Sequence, residues 1–501
     1  MDRSGITATV GERKDWINKL PYSVLSYILS LLTIKDAVGT CMISHQWRHL
    51  WKHPILTRTN LKFDIANVFG GKYTRLFEEH EEDNRLDFLI DQFEKQFFVR
   101  CVNEYLLLYR GKKVDSFKVA FFLDAESTAI LDKWVRFAIK KEAEVLDLQL
   151  FSRSCTLDTE NVYVFPHWLL SELKASTLKH LSLRRCVFKP PPGFDRFIQL
   201  TTLCLNKAIV DPVFLAHLFS DCLLLESLTL TNCRVGSYLT IGPSLRLNDL
   251  KVLLCVELER IEIDAVNLSS FEYYGNHLHI SCMRTPLLVR YFYSGSSKGA
   301  LAYALTQLPS CPGLETLHLQ IWNNLEDIPQ TVSTLRNLKQ VNLDLFVPNF
   351  DLGSVVNILK AAPLLEEFII TVRPANYQGD VRYYPGFSHD HLRKFKMQGF
   401  QGKWIEIELA ICILKIATKL EVLVIDPYGK FYNGGGRWTK LSCYYEEGNE
   451  NEVIDENEEE MILDGIEDGV DLAYLYWKQR ASVVVRERLK EVGTDAQVII
   501  L

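Results

Sequence analysis

The chain has 501 residues, 48% hydrophobic and 24% charged, enough to bury a large core in more than one structural unit. Its formal net charge of −7 is uneven: 13 acidic residues and no Lys or Arg fall between Glu446 and Asp471, leaving 56 basic against 50 acidic side chains elsewhere, too mild an excess to mark a nucleic-acid partner. The first 14 residues lack the apolar stretch of a secretory signal and no run of about 18 apolar residues occurs, so a cytoplasmic and/or nuclear protein with no membrane partner is expected.

The first ordered segment is expected from Asp15 to Pro54. Leu20-Pro21 opens a helix on which Val24, Leu25, Ile28, Leu29, Leu31 and Leu32 recur at helical spacing. A second short helix begins at Asp36 and includes Ala37, Val38 and Cys41; Ser44 is an N-cap for a third carrying Trp47, Leu50 and Trp51. A three-helix unit of about 40 residues rarely stabilises itself. Its first helix carries more apolar positions than one internal face needs, and the surplus suits either a partner or the rest of the chain. The acidic run Glu78 to Asp83 follows in a solvated connector, then helical patterns near Phe88 to Tyr109 and Ile130 to Ala143.

Beyond these a repeat dominates. The pattern L-x-x-L-x-L occurs at Leu178-Leu181-Leu183, Leu200-Leu203-Leu205 and Leu225-Leu228-Leu230, and the first and third copies continue to Cys186 and Cys233, as a leucine-rich repeat requires. Looser copies are placed at Leu250, Leu268, Leu288, Leu314, Leu338, Leu365, Leu392 and Leu420. On each short strand alternate residues face the core, and the residues between them face the open side of a curved parallel stack. That open side would carry Ser182, Arg184, Thr229, Thr231, Glu272, Tyr274, His318, Gln320, Asn342 and Asp344. Singly these are ordinary solvated positions; together they form a candidate surface for a protein target.

The segment Leu20-Pro21-Tyr22-Ser23-Val24-Leu25, with Ile28-Leu29, Asp36-Ala37 and the Ser44-His45-Gln46-Trp47-Arg48 end, resembles an F-box, with Tyr22-Ser23 in place of the acidic residue common after Leu-Pro. The resemblance implies docking to a Skp-family adaptor through Leu20, Pro21, Val24, Leu25, Ile28 and Leu29, and through it to a cullin and a RING protein. His391 to Met397, Gly399-Phe400-Gln401-Gly402 and Leu420 to Ile425 resemble the FBD domain of plant F-box proteins, a strand, glycine-bracketed turn, helix and strand able to cap a solenoid. In all, the chain resembles the plant F-box/leucine-rich-repeat/FBD family. The implied fold is α/β: a small three-helix F-box, then an irregular leucine-rich-repeat solenoid with a C-terminal FBD cap. The expected boundaries are a flexible tail over 1–14, the F-box over 15–54, a linker and helical connector over 55–112, the solenoid over 113–385 and the FBD over 386–443. A disordered acidic loop over 444–472 precedes a helix and strand, 473–501, that dock on the FBD.

Catalytic constellations are not found in the sequence. Gly434-Gly435-Gly436 is followed by Arg437-Trp438 and reads as a loop, not a phosphate cradle. His277 with His279, and His389 with His391, lack a Cys or carboxylate set that would complete a metal site. The 12 cysteines contain no Cys-x-x-Cys pair and are expected as reduced, buried thiols. No cofactor, metal or catalytic residue is expected. The reading is a non-enzymatic substrate receptor of an SCF-type ubiquitin ligase; the alternative is a protein-binding scaffold that uses the same two modules without ubiquitin transfer.

Overall fold

The computed structural model describes residues 20–40, 52–70, 92–151, 161–173, 177–244, 246–255, 257–276, 278–295, 305–306, 308, 311–322, 333–346, 352–372, 386–440, 478–479, 481–489 and 496–501. The expected third helix from Ser44, the acidic run at 78–83 and the acidic stretch at 444–472 lie outside these residues. The chain forms two units, one ending at Val187 and one beginning at Phe188.

The first unit opens with helices α1 (Tyr22–Leu31), α2 (Ile34–Gly39) and α3 (Lys52–Leu56). Thr33 caps α2, its Oγ1 accepting from the Asp36 amide at 3.0 Å. Strand β1 (Asn60–Asp64) and helix α4 (Ile65–Phe69) follow, so the expected connector contains a strand, with Leu61 and Phe63 facing inward. Helix α5 (Gln92–Leu108) leads to β2 (Ser116–Phe122), then α6 (Thr128–Lys140), β3 (Val145–Phe151) and β4 (His180–Arg184). The four strands pair in parallel in chain order. Helix α6 buries Leu131, Trp134, Val135, Ala138 and Ile139, the stripe a 3.6-residue period dictates for a helix lying on a sheet. The Trp134 indole is satisfied by Asn103 Oδ1 at 2.8 Å.

The second unit is a parallel ladder of β5 (Thr202–Asn206), β6 (Ser227–Thr231), β7 (Asp249–Leu253), β8 (Ser270–Gly275), β9 (Arg290–Gly295), β10 (Thr316–Trp322), β11 (Gln340–Phe346), β12 (Glu367–Val372), β13 (Lys394–Gln398) and β14 (Val422–Asp426). Helix α7 (Pro212–Asp221) follows β5, α8 (Leu352–Ala361) precedes β12 and α9 (Trp404–Ile416) precedes β14. Equivalent core positions stand in register from strand to strand: Leu203, Leu228, Leu250, Phe271, Tyr291, Leu317, Val341, Phe368, Phe395 and Leu423. The degenerate copies therefore replace leucine by aromatic residues without losing the ladder.

One repeat is displaced from its expected register. Strand β7 carries Leu250 and Val252 inward, so that copy starts at buried Leu247 and not at Leu250; Leu247, Leu250 and Leu253 lie at equal intervals, which hides the phase in the sequence.

Where each of several strands ends, the chain turns through one left-handed residue that is not glycine: Lys207, Asn232 and Leu254 in this unit, with φ of 47°, 52° and 57°, and Arg185 in the first, with φ of 59°. After Arg185, Asn232 and Leu254 the next residue is the Cys of the consensus, Cys186, Cys233 and Cys255, and after Lys207 it is Ala208. Cys233 Sγ donates to Leu205 O at 3.2 Å and Cys255 Sγ to Leu230 O at 3.8 Å, so each thiol bonds a carbonyl of the preceding repeat. The described cysteines are free thiols, and burial pushes Cys186 up to about 12.

Between β13 and β14 the glycine-bracketed segment has the expected element order, with Gly399 and Gly402 at φ 68° and 73° ahead of α9. A hairpin of β15 (Lys430–Tyr432) and β16 (Trp438–Lys440) follows. The C-terminal strand β17 (Gln497–Ile500) pairs in parallel with β14, and the turn Val485–Leu489 packs on α9.

Candidate functional site

Two surfaces bear on function, one in each unit. In the first, α1 has an inward side and an outward one. Leu25 and Leu29 are 0% exposed and form the small core with Ala37, Ile55 and Leu56. Tyr27 and Leu31 are 65% and 68% exposed, Val24 is 40% exposed, and the three lie at i, i+3 and i+7 on one stripe. Pro21 is exposed and Leu20 and Ile28 are half-buried. Of the six residues named for adaptor contact, Leu25 and Leu29 thus serve the interior, whereas Leu20, Pro21, Val24 and Ile28 retain access to a partner. Tyr27 and Leu31 were absent from that set, although the seven-residue stripe through Val24 was legible.

In the same unit sequence reasoning also missed Arg58. Its Nη2 donates to Leu32 O at 2.7 Å and to Leu29 O at 2.9 Å, the second alongside the Leu32 amide, so the guanidinium closes the carbonyl end of α1. Lys35 Nζ donates to Phe69 O, and Tyr105 donates to Ile55 O at 2.5 Å. The helices are bonded to the turn before β1, to α4 and to α5.

The second surface is the open side of the ladder. Ser182 and Arg184 belong to the first unit; there Ser182 accepts from Gln149 Nε2 at 2.9 Å and the Arg184 guanidinium lies 4.6 Å over the Phe151 ring. The remaining predicted residues line two rows of the second unit. Glu272, Phe292, His318 and Asn342 are register neighbours, as are Tyr274, Ser294, Gln320 and Asp344. Thr229 and Thr231 stand on β6, opposite Lys251 and Leu253.

This side is expected to be open, yet its centre is covered by the β15–β16 hairpin. Tyr432 is the main contact. Its hydroxyl donates to Glu272 Oε2 at 2.9 Å, its carbonyl accepts from Gln320 Nε2 at 3.2 Å, and its ring meets Phe292 edge-on at 4.8 Å. Burial, and then the Glu272 carboxylate, hold the phenol well above its ordinary range, so it remains a donor at neutral pH. The turn completes the clasp: the Gly435 amide donates to Glu272 Oε2 at 2.8 Å and the Gly436 amide to the Tyr432 hydroxyl at 2.8 Å. Trp438 stacks on His318 at 6.3 Å, and Phe431 meets Trp322 edge-on at 6.2 Å.

The three glycines that read as a loop are the reason the turn can approach so closely. All have positive φ, and a Cβ on Gly434 would stand 2.9 Å from Leu253 Cδ2. Beneath the hairpin, Ser294 donates to Gln320 Oε1 at 2.8 Å, and His318 Nε2 lies 2.8 Å from Asp344 Oδ2. The second histidine pair behaves differently. His389 is buried with its Nε2 donating to Ala362 O at 2.9 Å and its Nδ1 accepting from the Leu392 amide at 3.1 Å, a cross-link between successive repeats. Among the described residues no group of three His, Cys, Asp or Glu side chains is arranged to hold a metal ion.

Comparison with known proteins finds both modules. Residues 17–59 match the F-box domain, and residues 109–457, more than half of the chain, match the domain described as "At1g61320/AtMIF1, LRR domain". The chain is similar to the F-box/FBD/LRR-repeat protein At1g13570 of Arabidopsis thaliana, 29% identical over 44% of this chain and 45% of that protein. It is also similar to two further Arabidopsis thaliana proteins, the F-box/LRR-repeat protein At3g18150 (24% identical, 84% of this chain, 89% of that one) and the FBD-associated F-box protein At1g61330 (23% identical, 82% and 90%). With an F-box ahead of a parallel repeat ladder, the chain belongs to the plant family of F-box/leucine-rich-repeat proteins that share the At1g61320/AtMIF1 LRR domain.

Proposed function

We propose that this protein is the substrate-recognition subunit of an SCF-type ubiquitin ligase. The F-box holds a Skp-family adaptor, the cullin and RING protein join through that adaptor, and the repeats hold a protein target. The observation that carries the reading is the apolar stripe Val24, Tyr27 and Leu31, which stays at the surface after α1 has supplied the core with Leu25 and Leu29. An apolar strip on a helical unit this small is best explained by a partner that covers it. The chain's own part is positional: holding a target beside a charged enzyme raises its effective concentration and needs no catalytic group here. The proposed setting is the cytoplasm and/or nucleus.

Co-purification with a Skp-family adaptor and a cullin tests this directly. The native chain should retain both, and a Tyr27→Asp, Leu31→Asp variant should retain neither. Each buried side chain of this size is worth about 1.5–3 kcal/mol, so the loss in adaptor affinity should exceed about tenfold. Unchanged melting of the variant shows that the loss is one of contact. A native chain that holds no adaptor would remove the ligase reading, as would ubiquitin transfer by the purified chain without a RING subunit.

A further inference from the structure

The β15–β16 hairpin lies on the face assigned to the target, and it leaves part of that face unsatisfied. Tyr432 and Gly435 fill Glu272 well, but β11 is left with a deficit. Asp344 is 1% exposed; its Oδ2 is paired with His318 and accepts from Gln320 Nε2 at 3.4 Å, while its Oδ1 has no hydrogen-bond partner among the described residues. Two residues earlier on the same side of the strand, Asn342 is 9% exposed and its Oδ1 also has none. Buried acceptors left bare are unfavourable, a carboxylate oxygen most of all. An occupant matched to this face would bring a donor to these two atoms, and a cation would serve both Asp344 and its charge.

The hairpin is held by its contacts with the ladder and not by its own strands. Its two strands are three residues each, and a two-stranded ribbon has little stability of its own. It leaves β14 through a tight turn in which Asp426 Oδ1 accepts from the Tyr428 and Gly429 amides at 3.1 and 3.0 Å, with Gly429 at φ 51°. That turn is a natural hinge, since it can persist while the ribbon beyond it lifts.

We propose that the Lys430–Lys440 hairpin is an internal placeholder on the target-binding face, and that the protein segment which displaces it carries a lysine or arginine that pairs with Asp344. Arginine fits best, because its planar fork can donate to Asp344 and Asn342 together. The inference rests on the target-receptor reading given above and specifies which targets that receptor takes.

The test uses the full-length chain, its Tyr432→Ala, Trp438→Ala variant and a positional-scanning decapeptide library. The variant should bind the library at least about tenfold more tightly than the native chain, as expected when the competent state no longer has to be opened first. Bound peptides should select Lys or Arg at one position, and adding Asp344→Asn should abolish that selection. Gly434→Ala opens the turn through its positive φ and the Leu253 contact without removing a contact side chain, and should reproduce the gain. Hydrogen exchange on the unaltered chain gives a measurement that needs no variant: the Gly435 amide should exchange faster than the amides of β8 to β11. Equal binding by native and opened chains, selected peptides without a basic residue, or a Gly435 amide that exchanges only together with the ladder would each overturn the inference. Adaptor capture by the native chain is read in parallel: if it persists while the library result fails, this inference alone falls, and if it is absent the receptor reading falls first.

Discussion

Replacing Glu406 by glutamine should stabilise this protein at pH 8 and leave it unchanged near pH 4.5. Glu406 is buried in the first turn of α9, where its Oε2 accepts from the Gln401 and Lys403 amides at 2.9 Å each. Burial pushes its carboxyl from the ordinary 4.5 up to about 7, against the opposing pull of those amides. A carboxyl whose folded pKa lies above its unfolded one binds protons more readily in the folded state. Stability therefore falls as pH rises from 4.5 towards 7, and the deficit is constant above that. At about 1.4 kcal/mol per pH unit the deficit approaches about 3 kcal/mol. Glutamine keeps an acceptor for the two amides and has no charge to bury. Urea titrations of both proteins at pH 5, 6, 7 and 8 should show midpoints that diverge upward for Glu406→Gln as pH rises. A variant that is less stable than the native chain at pH 8, or a difference that does not change with pH, would refute the reasoning and show that the charged form is held for its hydrogen bonds.

Three further outcomes are expected. Arg58→Ala leaves the Leu32 carbonyl without its guanidinium donor and Leu29 O with the Leu32 amide alone, and should cost the F-box about 1–3 kcal/mol, seen as faster proteolysis within residues 20–70 while β5–β14 stay protected from hydrogen exchange. Leu319→Ala, at a fully buried ladder position, should cost about 2–5 kcal/mol by urea titration, whereas exposed Leu287→Ala should change the midpoint little. Glu142, exposed and left-handed at φ 58° where α6 ends, should accept glycine with a gain of up to about 1 kcal/mol in thermal unfolding; a loss would show that its side chain has a contact worth more than the strain.

The parts of this architecture written in local spacing were readable in advance. The leucine pattern located the ladder strands because its period of two on each strand and its consensus turn are set within a dozen residues. Local evenness also misled it, since three leucines spaced alike around Leu250 have no phase of their own and only pairing with β6 and β8 fixes one. Leu25 and Leu29 could not be separated from Val24 and Tyr27 by hydrophobicity; the distinction is which side of α1 meets α3. The hairpin was the least legible feature, because Tyr432 reaches Glu272 across 160 positions of sequence. Its only local signature is the alternation of Phe431, Tyr432 and Trp438 around a glycine turn, a hairpin signal once the loop reading is set aside.

The ties made by Arg58 and Lys35 decide where this F-box can be cut. A graft that ends after Pro54, where the helical pattern stops, would leave behind the guanidinium that closes α1 and the carbonyl that holds α2. A transplant that runs through Gly70 takes both along, together with β1 and α4. The portable module is therefore longer than the motif by which it is recognised, and chimeras built on the motif alone will test a damaged joint in place of an adaptor preference.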